Sequence, residues 1–185
     1  MTSLPCLPPP ARRRRLGAFL RGERGSMTIE FALWFPIFVA FICGATELGL
    51  IAARHARLEY GIDMAVRMVQ LDTGTVITHD DLVQTICDSA AIIPDCTQNL
   101  MLEMRMQDMR DDVTTSSTAT CIDHSEEVQP ANVFTNGGEN QLMVLRACLK
   151  FTPIFPTTGI AASLPLDGAG QFALISTGAY VQEPL

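Results

Sequence analysis

The sequence predicts an α+β fold, in which one long apolar helix near the N-terminus runs on into a small domain built around an antiparallel sheet of about three strands. Three observations predict it. From Phe31 to Ala53 the chain is apolar for 23 residues with a single charge, Glu47. Beyond that run Leu48, Ile51, His55, Leu58, Ile62, Ala65 and Val69 recur at three- and four-residue intervals, one face of a continuing helix. Later segments then alternate or run apolar over strand-like lengths, bounded by Pro, Gly and Asp turn signals.

At a rise of ~1.5 Å per residue the apolar run is ~35 Å long, enough to cross a hydrocarbon core of ~30 Å. Its polar residues occupy no regular face, so it spans a bilayer rather than lying on one. The charge distribution orients it. Residues 1–25 carry six Arg against one Glu, and the remainder carries seven basic against nineteen acidic residues, within a net charge of −7. Arg12, Arg13, Arg14, Arg15, Arg21 and Arg24 precede the span. The expected topology is an N-terminus in the cytoplasm and a C-terminal domain outside. An acidic body argues against nucleic-acid binding, because phosphate neutralisation needs clustered Lys and Arg. A secretory signal peptide is the competing explanation of a basic head and an apolar run, but its cleavage site would place Arg54 at −3 and Ala56 at −1. A plain uncleaved anchor is the other alternative.

Helix is expected from about Met27 to Val69, until Asp72-Thr73-Gly74 breaks it. Arg54, Glu47 and Glu59 are candidates for helical ion pairs, and Pro36 removes one backbone bond inside the span. In the body, Thr78-His79-Asp80-Asp81 starts a short helix running to about Ala90, ended by Ile93-Pro94-Asp95. Leu100, Leu102, Met104 and Met106 alternate with Met101, Glu103, Arg105 and Gln107, the pattern of a strand with one buried face. Residues 109–138 are polar and predict an extended loop. Gln141 to Phe151 and Gln171 to Val181 are the second and third strands, separated by turn residues Pro153, Pro156 and Gly159.

Of six cysteines, Cys6 lies in the head and Cys43 in the span, while Cys87, Cys96, Cys121 and Cys148 lie in the body. An even number in a compartment where disulfides persist predicts two bridges. Three pairings are open. The favoured set is Cys87 with Cys96, tying the short helix to the loop after it, and Cys121 with Cys148, pinning the polar loop to the second strand. Metal is disfavoured, since no Cys-x-x-Cys spacing is present and the three His are scattered. Asp108, Asp111 and Asp112 lack EF-hand spacing, and Met101, Met104, Met106 and Met109 fit a strand face better than a copper site. Asp123-His124-Ser125 has the residue types of a hydrolase triad, yet consecutive side chains diverge and cannot relay a proton. Neither an enzyme nor a cofactor is predicted.

The segment before the span carries the most specific signal. Arg24-Gly25-Ser26-Met27-Thr28-Ile29-Glu30-Phe31 sets a Gly at the end of a basic head, then four uncharged residues, then a Glu at the start of the apolar helix. This resembles the class III signal of type IV prepilins and pseudopilins. With Phe31 directly after Glu30 and Pro36 beyond it, GSMTIEFALWFPIF is similar to the TadE/TadF-type pseudopilins of the tight-adherence (Flp) pilus system. The ending, Leu174-Ile175-Ser176 through Val181-Gln182-Glu183-Pro184, is similar to the closing strand of that group. The resemblance is dense over residues 20–60 and thin through the middle.

It implies a basic leader, residues 1–25, removed by a prepilin peptidase between Gly25 and Ser26, and a long helix over 26–72 with its span at 31–53. It further implies a pilin-like α+β periplasmic domain over 73–185. Gly supplies backbone freedom and absence of bulk at such a cut. Glu30 and Phe31 are implied to act in assembly, Glu30 by pairing with the α-amine of a neighbouring subunit, since a carboxylate at the edge of an apolar helix is costly unless paired. Placement of Glu30 in the first helical turn, where the helix dipole favours an acid, is the plainer account of that residue. The implied partners are the peptidase, other pilins and pseudopilins, inner-membrane pilus assembly proteins and membrane lipid. The implied location is the bacterial inner membrane, single-pass, with the pilus as a destination after assembly. The alternative function is a membrane-anchored periplasmic binding domain that joins no filament.

Overall fold

A computed structural model describes residues 26–71, 76–108, 119–126, 129–156 and 161–183. The chain order is α1 (Ser26–Leu71), α2 (His79–Ser89), α3 (Cys96–Asn99), β1 (Leu100–Met106), β2 (Leu142–Phe151), a 3-10 turn (Ala161–Ser163) and β3 (Phe172–Val181). The strands form one antiparallel sheet in the order β1-β2-β3. The fold is α+β, as expected, and each strand begins and ends within a residue of its predicted bounds. The chain divides into two compact units, Met1–Ile42 and Cys43–Leu185.

In the first unit α1 is apolar and exposed on every side. All residues from Met27 to Ile42 are exposed, among them Phe31, Trp34, Phe35, Phe38 and Phe41. Phe31 and Phe35, one helical turn apart, stack with ring centroids 5.1 Å apart. The helix runs through Pro36 without interruption. It is long and apolar enough to cross a membrane.

In the second unit the remainder of α1 is amphipathic. Leu58, Ile62, Ala65 and Val69 are buried and meet Leu82 and Ile86 of α2 and the row Leu102, Met104, Met143, Leu145, Leu149 and Tyr180 on one face of the sheet. Close approach is built into two glycines. A Cβ on Gly61 would lie 2.9 Å from the carbonyl oxygen of Ile86, and one on Gly178 would lie 2.6 Å from Cγ2 of Ile62. These positions let α2 and β3 seat directly on α1.

Helix α2 begins in a capping box. Thr78 Oγ1 accepts from the Asp81 amide at 3.3 Å, and the Asp81 carboxylate accepts from the Thr78 amide at 3.1 Å and its hydroxyl at 2.6 Å. Those bonds hold the Asp81 carboxyl below its ordinary range.

Two expectations are corrected here. Strand β1 does not have one buried face: Leu100 to Met104 are buried consecutively, and Met106 is 57% exposed. The reason is a second cover. The loop segment around Thr120 and Cys121 lies on the far face, where Cys121 is bonded to Cys148 and the Thr120 amide donates to the Glu103 carboxylate at 3.2 Å. Leu48, placed on the inward stripe of α1, is 48% exposed, and its neighbour Glu47 is 2% exposed.

Candidate functional site

The residues singled out by sequence fall into three places. The first is the start of α1. Gly25 and the rest of the basic head lie outside the described residues, and the helix begins at Ser26. Glu30 is its fifth residue, one position beyond the first turn, which contains no acid. The dipole account of Glu30 is therefore weaker than its sequence position suggests, because that effect falls off within the first turn. Glu30 and Phe31 are both exposed, on a segment whose neighbours are apolar and exposed as well.

The second place is the pair of disulfides in the second unit. Cys87 near the end of α2 is bonded to Cys96 at the start of α3, and Cys121 to Cys148 in the middle of β2. Cys43 carries a free thiol. Asp123, beside the second bridge, accepts from the amide and hydroxyl of Ser125 at 2.9 and 2.6 Å, whereas His124 Nε2 faces Asn99 Oδ1 at 2.8 Å. The three side chains thus make a turn and a tie to the end of α3, with no relay among them. Bonds from Ser125 hold the Asp123 carboxyl below its usual value. No group of His, Cys, Asp and Glu suited to a metal occurs among the described residues. Met104 instead accepts a hydrogen bond from the Tyr180 hydroxyl at 3.3 Å, and burial pushes the Tyr180 phenol up to about 12. Asp111, Asp112 and Met109 lie outside the described residues.

The third place was missed by sequence reasoning. Glu47 does not join an ion pair with Arg54. Its two carboxylate oxygens accept from the backbone amides of Ile154 at 3.1 and 3.2 Å and Phe155 at 3.2 Å, in the turn after β2. Arg54 lies 4.4 Å over the ring of Phe151, which meets Phe172 edge to face, while Glu59 is 3.5 Å from His55. Residues seven and five positions apart, as in Glu47–Arg54 and Arg54–Glu59, are not neighbours on a helix surface; Glu59 takes His55 one turn away, while Glu47 and Arg54 take partners after and at the end of β2. The usable signal was the oddity of one carboxylate in an apolar run, which needs a buried acceptor's donors.

An ion pair between the buried Lys150 and the half-buried Asp167 supports the turn before β3. Lys150 Nζ donates to Asp167 Oδ2 at 2.6 Å, and Asp167 Oδ1 accepts from the amides of Ala169 and Gln171. Burial pushes the Asp167 carboxyl up, but the Lys150 ammonium and the two amides outweigh it and leave the group below its ordinary range.

Comparison with known proteins fits the first of these places. Neither curated proteins nor solved structures gave a match to this chain. The segment that begins at Gly25, carries Ser26, Glu30 and Phe31, and extends along α1 is similar to one known family: it matches a family model, TadE-like protein, over residues 25–67.

Proposed function

We propose that the protein is a minor pilin or pseudopilin of a tight-adherence pilus, an interaction protein without catalytic activity. The observation that carries this is the coincidence of the TadE-like match with the position of the Gly25–Glu30 motif, at the start of a helix able to cross a membrane. In this reading a prepilin peptidase cuts between Gly25 and Ser26 at the cytoplasmic face of the inner membrane. The freed amine then begins the mature chain at Ser26, anchored by its helix with the second unit in the periplasm.

The exposed apolar surface from Met27 to Ile42 supports a role beyond anchoring. A lone span needs only hydrophobicity, whereas five aromatic rings offer shaped contacts to neighbouring helices as well as to lipid. Glu30 would then pair with the amine of an adjacent subunit, because a carboxylate at that depth is stabilised by a partner.

Intact-mass measurement of the membrane-extracted protein tests the proposal. A mature N-terminus at Ser26, with the longer form persisting when Gly25 is replaced by a bulky residue, is the expected result. An N-terminus beyond residue 45 would overturn it. An uncleaved chain from residue 1 would instead favour the anchored binding domain.

A further inference from the structure

We infer that the outer edge of β3 is a docking site for an extended, basic segment of a partner protein, which adds to the sheet as a fourth strand. This inference concerns the second unit and does not depend on cleavage after Gly25.

The first observation is that the sheet's two edges are treated differently. At the β1 edge the chain covers itself: the Met104 amide donates to the Val133 carbonyl at 3.0 Å, and the Thr135 amide donates to the Met104 carbonyl at 3.1 Å. At the β3 edge no strand lies alongside among the described residues. The direction of its backbone groups follows from the ladder. Gln182 donates to the Gln141 carbonyl just past the strand ends, and antiparallel pairs alternate between bonded and non-bonded. Leu174, Ser176, Gly178 and Tyr180 therefore bond β2, and the amides and carbonyls of Ala173, Ile175, Thr177, Ala179 and Val181 point away from it. The last four of these residues are exposed.

The second observation is the absence of protection. Exposed edges are usually blunted by charge, proline or a bulge. Strand β3 spans Phe172–Val181 with no charged residue and no proline, and its register against β2 is unbroken over all ten positions. Such an edge is a template for strand addition.

Charge selects the occupant. Along this edge a cleft of about 380 Å³ is walled by His55, Glu59 and Asp63 of α1 and by Ser176 and Thr177 of β3. Among the described residues the one ion-pair contact of Glu59 is the His55 ring at 3.5 Å, and Asp63 has no ion-pair partner. Lys or Arg side chains on an added strand would reach these carboxylates. A second copy of the chain is disfavoured as occupant, because it would bring a second acidic face and an uncharged strand. Electrostatic complementarity of this kind suppresses wrong partners.

The test uses the full-length protein in a non-ionic detergent and a dye-labelled ten-residue peptide of alternating Lys and Val, read by fluorescence anisotropy. Saturable binding is expected. The same peptide N-methylated at every second amide keeps its charge but cannot pair, and should bind about tenfold more weakly or less. Thr177→Pro removes an outward amide while sparing the bonds to β2, and should cause a similar loss. Glu59→Gln with Asp63→Asn should weaken binding and flatten its salt dependence. Equal binding of the N-methylated peptide, or no binding of the unmodified one, would overturn the proposal. So would a wild-type dimer that Thr177→Pro converts to monomer, since the edge would then belong to a second copy.

Discussion

The carboxylate of Glu47 accepts hydrogen bonds from the amide of Ile154, a residue 107 positions further along the chain, and from that of Phe155. A side chain in the middle of an apolar helix thereby satisfies two amides that follow Pro153 and lie outside any strand.

Glu47→Ala leaves those amides without an acceptor and opens a buried site. Bonds to a charged group contribute ~1.5 to 3 kcal/mol, so the variant should be less stable by at least that amount. Glu47→Gln keeps one carbonyl acceptor and should fall between. Thermal unfolding of the detergent-solubilised protein, with limited proteolysis of the turn at 152–156, checks the order; an alanine variant as stable as wild type would contradict it.

Disulfide Cys121–Cys148 encloses a longer stretch of chain than Cys87–Cys96, 27 against 9 positions. Constraint of the unfolded chain grows with loop length and is worth ~2 to 4 kcal/mol. Replacing both Cys121 and Cys148 by Ala should lower abundance and expose the far face of the sheet at Met101 and Glu103, whereas Cys43→Ser should change little. Hydrogen exchange of β1 and β2 would register the difference.

The Lys150–Asp167 pair makes stability depend on acid in a definite direction. Its carboxyl titrates below the unfolded range in the folded state, so between those values the unfolded chain binds more protons. The contribution is complete above the ordinary carboxylate value of ~3.9 and is lost as pH falls through the lower, folded value. Asp167→Asn should be less stable at neutral pH, because Lys150 remains buried without its counter-charge, and its unfolding temperature should fall less steeply below pH 4. Melting curves from pH 7 to pH 2.5 would show both effects, and parallel curves would refute them.

Glu30→Ala tests the assembly role apart from anchoring. Removing an exposed acid from an apolar segment should leave insertion and the mature mass unchanged, while reducing co-purification with other pilins. An unpaired charge at that depth costs up to ~3 kcal/mol, which sets the scale of the pairing. Normal piliation by the variant would remove Glu30 from the assembly role.

Much of this architecture is legible in the sequence because periodicity reports burial directly. The spacing of Leu58, Ile62, Ala65 and Val69 marks the inner face of α1, and Thr78-x-x-Asp81 marks the start of α2. What periodicity does not report is what covers a surface. Met101 and Glu103 look like the outer face of β1 until the segment at Thr120 and Cys121 is seen upon it. The partner of Glu47 is equally invisible, because two backbone amides leave no mark in side-chain composition. That no strand lies beside the outer edge of β3 among the described residues depends on strand order, which the pattern of each strand taken alone does not contain.

The order in which these pieces are synthesised has its own consequence. Sheet neighbours β1 and β2 are separated by residues 107–141, so β1 is made well before the strand that completes it. During that interval Leu100 to Met104 have neither their ladder nor the cover that Cys121 later supplies, since Cys148 has not yet been made. The Cys87–Cys96 bridge is local and can close early, holding α2 beside the start of β1. A nascent chain stalled between residues 106 and 133 would therefore present an apolar strand open on both edges, the point in its biogenesis at which aggregation or capture by a chaperone competes most strongly with folding.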